Sequence, residues 1–144
     1  MAKRPRILFV CTGNSARSQM AEGFARYYGG KKVIAESAGL EPKDEINPYA
    51  VWVMNEAAVD IKRQTPQDLS EKDLSEYDVV VTLCGDARDK CPPMPSGVRH
   101  QHWPLTDPAR FRGRPAEIRA AFRLSRNEVE NRVRGLLDEL LKGQ

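Results

Sequence analysis

The chain is predicted to be an α/β protein: a three-layer sandwich around a small parallel sheet of about four strands. Two observations carry this. Arg6-Ile-Leu-Phe-Val-Cys11 and Asp78-Val-Val-Val-Thr-Leu83 are nearly continuous apolar runs, as strands buried on both faces require. Segments with helical spacing of apolar residues separate these runs from each other and from two weaker strand candidates. With 144 residues, no internal repeat and no linker, residues 1–144 are read as one domain.

The elements follow in order. After the first strand, Cys11-Thr-Gly-Asn-Ser15 is turn-rich. Ala16, Met20, Ala21, Phe24, Ala25 and Tyr28 then recur at helical spacing until Gly29-Gly30 stops the helix. Val33 to Ala35 reads as a second strand closing at Ser37-Ala-Gly39. Asn47-Pro48 starts a helix, with Asn as cap and Pro in the first turn, and Val51, Met54 and Ala58 are expected on its inner face. The strand at 78–83 ends at Cys84, as the first ends at Cys11, and Pro92, Pro93 and Pro95 break any helix that follows. Arg99 to Trp103 is a fourth strand candidate, and 104–114 reads as loop. From Pro115 the pattern is helical, with Val129, Val133, Leu136, Leu137, Leu140 and Leu141 on one face. Ser125 and Glu128 match a capping box, which leaves one helix or two open.

Composition excludes several classes. No apolar run reaches the roughly 18 residues of a membrane span, and the basic start is followed by too short an apolar block for a signal peptide. A cytoplasmic location is expected. The net charge of +3, from 23 basic and 20 acidic residues, is too small to indicate nucleic acid, and the five Arg between Arg110 and Arg123 read as a solvated helical face. Three Cys do not make a closed set of disulfides, so free thiols, a metal site or catalysis remain. A zinc site of the three Cys with His100 or His102 lacks any Cys-x2-Cys pair. Both His read as structural or surface residues, and Trp103 as core.

The strongest motif is Cys11-Thr12-Gly13-Asn14-Ser15-Ala16-Arg17-Ser18. A loop between a buried strand and a helix N-terminus offers backbone N–H groups and partial positive charge to a tetrahedral anion. Gly13 permits close approach, Arg17 can grip two oxygens with its planar fork, and Ser18 is placed to donate to the Cys11 sulfur. The same field favours a thiolate at Cys11, an activated nucleophile beneath the anion. A nucleotide loop is excluded, because the Gly-Lys pair is missing. Ligands of such sheets bind beyond the strands' carboxyl ends, where Cys11 and Cys84 both lie. Asp107-Pro108, alone, is a turn; beside an anion, Asp107 is a candidate general acid.

Cys11 to Glu22, with Val81-Thr-Leu-Cys84, Cys91-Pro92, His102-Trp103 and Asp107-Pro108, closely resembles the low-molecular-weight protein tyrosine phosphatases. It resembles still more the thioredoxin-coupled arsenate reductases built on that fold. The resemblance implies arsenate as substrate, Asp107 as acid, and a relay. Cys11 attacks arsenate, Cys84 attacks the adduct and releases arsenite, and Cys91 frees Cys11 by pairing with Cys84 for thioredoxin to reduce. It implies no tightly bound cofactor, thioredoxin as electron donor and a monomer. A phosphomonoesterase using Cys11, Arg17 and Asp107 is the alternative, and a non-enzymatic anion or redox sensor ranks last. Ala109 stands where the phosphatases commonly have an aromatic residue, which favours a small inorganic substrate.

Two constraints accompany the resemblance. If residues 84–91 are helical, seven steps separate the thiols' Cα atoms by about 10.5 Å, beyond the roughly 7 Å a disulfide spans. The stretch 84–95 must therefore move, which Gly85 eases, and Arg88 and Lys90 are candidates to favour thiolates. Some of these reductases hold potassium behind the loop. Asn14, Glu22 and Ser37 match three of its ligands, but Gln67 stands in place of the fourth, an Asp, which weakens the site; Asp68 is expected to point elsewhere.

Overall fold

The computed structural model describes residues 4–142. Its sheet has the order β2-β1-β3-β4, all parallel: β1 (Arg6–Cys11), β2 (Ile34–Gly39), β3 (Val79–Thr82) and β4 (Arg99–His102). Ile7, Leu8, Phe9 and Val10 are all fully buried, as the continuous apolar run requires of a central strand. Burying each such side chain contributes about 1.5–3 kcal/mol. Alternation then divides the core. Ile7, Phe9, Val79, Val81 and Leu83 meet helices α1 (Arg17–Gly29), α2 (Pro48–Glu56) and α4 (Pro115–Leu140). Leu8, Val10 and Val80 meet a thinner layer of α3 (Gly85–Lys90) and the 3₁₀ turns at Leu69–Glu71 and Leu74–Glu76. The three-layer sandwich is thus present, with its helices unequally shared.

Several local expectations are met. Gly30, at φ 53°, ends α1. The Asn47 side chain accepts from Tyr49 N–H at 2.9 Å and caps α2, with Pro48 in its first turn. Trp103 is buried against Phe9. The loop at 104–114 contains one 3₁₀ turn, Pro108–Arg110.

Two expectations need correction, and one question left open is decided. Tyr28 is 41% exposed; it stacks on Phe24 and donates its hydroxyl to Glu130, so it ties α1 to α4 at the surface. Ala58 is not on the inner face of α2, because the helix ends at Glu56 and Ala58 adopts φ 62°; Ala50, Val53 and Met54 form that face, with Val51 half-buried. Ser125 does not cap a second helix. Phe122, Ser125, Val129, Val133 and Leu136 keep one helical phase, so α4 runs unbroken and puts Ser125 on its buried face. The Ser125 hydroxyl has no partner there. Ser125→Ala removes an unsatisfied group and improves helix propensity, and is expected to stabilise the protein by about 1 kcal/mol in thermal or urea unfolding. Destabilisation would show that the hydroxyl has a partner after all.

Candidate active site

The loop between β1 and α1 is held from behind. The carbonyls of Cys11, Thr12, Gly13 and Ser15 accept from the N–H groups of Leu40, Glu41, Lys43 and Asn47 at 2.8–3.1 Å, and that of Asn14 accepts from Gln19 Nε2 at 3.0 Å. Five consecutive carbonyls are thereby satisfied on one side. The N–H groups of Gly13, Asn14, Ser15 and Ala16 have no protein acceptor among the described residues, and Ala16 caps α1 with no side-chain bond. Unspent donors at a helix N-terminus are what an anion needs. Gly39, at the end of β2, packs so close that a Cβ there would lie 2.6 Å from the Thr12 carbonyl oxygen.

A chain of donors runs along the loop to the nucleophile candidate. Gln67 N–H donates to Asn14 Oδ1 at 2.7 Å, and Asn14 Nδ2 donates to Ser18 Oγ at 2.8 Å. Ser18 Oγ lies 2.9 Å from Cys11 Sγ, so its hydroxyl can donate to the sulfur, as the sequence suggested. Asn14 tolerates the left-handed φ of 49° that the turn imposes. Gln19 is fully buried and its Nε2 also donates to Thr65 O, while Gln64 Nε2 donates to Gln19 Oε1 at 2.8 Å. Sequence reading missed Gln19 and Gln64. The available signal was a Gln in the stretch between Ala16 and Met20 that faces the core.

Arg17 is buried and anchored. Its Nη1 donates to the carbonyls of Leu83 and Leu105 at 3.0 and 2.9 Å, which follow β3 and β4. Nη2 lies 3.5 Å from Asp107 Oδ2. Asp107 opens the 3₁₀ turn through Ala109 N–H, 3.0 Å from its Oδ1. Cys84 caps α3: its sulfur accepts from Ala87 N–H at 3.4 Å and lies 3.3 Å from Thr12 Oγ1. A cleft of about 720 Å³ therefore unites Cys11, Thr12, Gly13, Arg17, Cys84 and Asp107. Cys91 lies outside it, half-buried in the thin layer with Ala87, Met94 and Val98. Burial pushes the Cys91 thiol pKa up, and Arg88, expected to favour a thiolate, is paired with Asp89 at 2.9 Å.

The remaining candidates are resolved by their partners. Thr82 Oγ1 lies 3.0 Å from His100 Nε2 and 2.8 Å from His102 Nδ1, which ties both rings to the sheet edge. Among the described residues no three His, Cys, Asp or Glu side chains gather to hold a metal ion. The residues matched to potassium do not fit a cation. Glu22 accepts from the Ser37 hydroxyl at 2.6 Å and pairs with the Arg26 guanidinium at 3.0 Å, so protein already supplies its positive partner. Burial still pushes the Glu22 carboxyl above its ordinary range. Asn14 Oδ1 accepts from Gln67 N–H, the Gln67 side chain donates to Thr65 Oγ1, and Asp68 turns to Ser70.

A thiol beneath free N–H groups, flanked by an anchored guanidinium and a carboxyl group, defines the class of cysteine-based oxyanion enzymes. Residues 6–144 match the model of the low molecular weight phosphotyrosine protein phosphatases, and the chain belongs to that family. It is 48% identical over 128 residues to an arsenate reductase of Bacillus subtilis, covering 89% of this chain and 91% of the relative. A solved arsenate reductase in an oxidized state shares 35% identity at a TM-score of 0.81, over 93% of this chain and 97% of that one. The thioredoxin-dependent arsenate reductase of Corynebacterium glutamicum shares 28% identity at a TM-score of 0.77; the match covers 99% of this chain and 65% of that one.

Proposed function

We propose that this protein reduces arsenate to arsenite with electrons from thioredoxin. The observation that carries the reading is the second thiol: Cys84 lines the same cleft as Cys11 and lies 3.3 Å from the hydroxyl of Thr12, the next residue in the loop. Phosphoryl transfer has no use for it. Arsenate reduction needs two electrons, which two thiols provide by ending as a disulfide. The names of the relatives point the same way.

Arsenate binds with its oxygens on the loop N–H groups and on Arg17, whose Nη1 is already anchored and whose Nη2 and Nε remain for the anion. The Cys11 thiolate attacks arsenic, and Asp107 gives a proton to the oxygen that leaves as water. Cys84, as thiolate, attacks the Cys11 sulfur. The S–As bond breaks, its electron pair stays on arsenic, and arsenite departs with As(V) reduced to As(III). Cys91 then attacks Cys84 and releases Cys11, and thioredoxin reduces the Cys84–Cys91 disulfide. No step needs a metal ion or a resident cofactor.

The test supplies arsenate, thioredoxin, thioredoxin reductase and NADPH and follows NADPH loss. Arsenate-dependent oxidation is expected, and its absence alongside good aryl phosphate hydrolysis would sink the reading. That second reading, a phosphomonoesterase, is favoured by the family the chain belongs to and by the size of the cleft, which exceeds what a tetrahedral oxyanion fills.

A further inference from the structure

Asp107 is held by two guanidinium groups through one oxygen. Its Oδ2 lies 3.5 Å from Arg17 Nη2 and 3.7 Å from Arg110 Nε. Arg17 cannot follow the carboxylate, because two backbone carbonyls fix its Nη1 in a buried position. The edge of Arg17 that an entering anion must engage is therefore already faced by a negative group. A dianion and a carboxylate on one guanidinium edge repel, so the carboxylate must turn aside for the anion to bind. Arg110 sits three residues along the same 3₁₀ turn, also lines the cleft, and is 85% exposed.

We propose that Arg110 is a positioning residue for oxyanion exchange: it receives the Asp107 carboxylate when the anion displaces it from Arg17. The inference rests on reading the Cys11–Ser18 loop as an oxyanion site beneath Asp107. In the resting protein the Arg110–Asp107 pair is screened by water and contributes little. It matters once the anion brings further negative charge to the cleft and takes Arg17 for itself. Arg110 then keeps Asp107 beside the cleft instead of letting it swing into solvent.

The experiment measures the dissociation constant of inorganic phosphate by calorimetry at low ionic strength, in the wild type, Arg110→Gln, Asp107→Asn and the double variant. Asp107→Asn is expected to tighten phosphate about tenfold, because the competing charge is gone while the side chain can still accept from Ala109 N–H. Arg110→Gln is expected to weaken it about threefold to fivefold, the scale of a partly exposed pair. In the Asp107→Asn background the same substitution should change affinity by less than about 1.5-fold, and Arg110→Lys should restore the wild-type value within about twofold. An equal loss in both backgrounds would overturn the proposal, since Arg110 would then act on the anion by its own charge. So would an Arg110→Gln variant that binds like wild type, or an Asp107→Asn variant that binds no tighter. Failure of the wild type to bind phosphate at all would remove the oxyanion site itself, a result distinct from these.

Discussion

Cys84→Ser is expected to abolish arsenate turnover with the thioredoxin system, by at least about a thousandfold, while phosphate binding stays within about twofold of wild type. The serine hydroxyl can keep the contacts that Cys84 makes with Ala87 N–H and Thr12 Oγ1, so α3 keeps its cap and the cleft its shape. What it cannot do is give up electrons to a sulfur–arsenic adduct. Cys91→Ser should fail later. Its first turnover should release one arsenite per protein and leave a Cys11–Cys84 disulfide that mass spectrometry detects, and the second should not occur. The delay follows from position, because Cys91 lies outside the cleft beyond the six residues of α3. With that helix formed, the Cα atoms of Cys84 and Cys91 are about 10 Å apart, and a disulfide spans less than about 7 Å. The second exchange therefore requires α3 to unwind, and substitutions that stiffen it, such as Gly85→Ala, should slow it without touching the first. Normal turnover by Cys91→Ser would refute the relay.

What the sequence made legible was local. β1 and β3 were visible because a strand buried on both faces must be apolar throughout, and the cap at Asn47 because its chemistry occupies two adjacent residues. The loop from Cys11 to Ser18 was visible because its donors are consecutive. The features that escaped depend on distant partners. Nothing near Arg17 announces that carbonyls 66 and 88 residues away will fix it. Nothing in the stretch after β2 marks it as the strap that satisfies the loop's carbonyls. Ser125 left one helix or two open for the opposite reason: a capping box is a local pattern, and only the unbroken phase of Phe122, Val129 and Val133 against the sheet decides. The potassium match stayed open for a similar reason: matching residue types does not reveal that Arg26 pairs with Glu22.

Arg17→Lys is expected to reduce kcat/KM for arsenate on the order of a thousandfold and to weaken phosphate binding with it. On the proposed reading Arg17 has two tasks for different nitrogens: Nη1 satisfies the buried carbonyls of Leu83 and Leu105, and Nη2, beside Asp107 in the cleft, takes the anion. A lysine has one nitrogen on a stem with no planar fork, so it can serve the carbonyls or the anion but not both. If it serves the carbonyls, the anion loses its bidentate partner and Asp107 loses its resting one. If it turns to the anion, two buried carbonyls go unsatisfied, at about 1–3 kcal/mol each. The two costs separate experimentally. Unfolding in urea reports the carbonyls, and phosphate titration reports the anion edge. A variant that is fully stable yet blind to phosphate, or one that binds phosphate but melts early, would each fit the dual role and say which task lysine chose. A variant that keeps both stability and turnover within about tenfold would show that the two anchoring bonds do not set the geometry of the site.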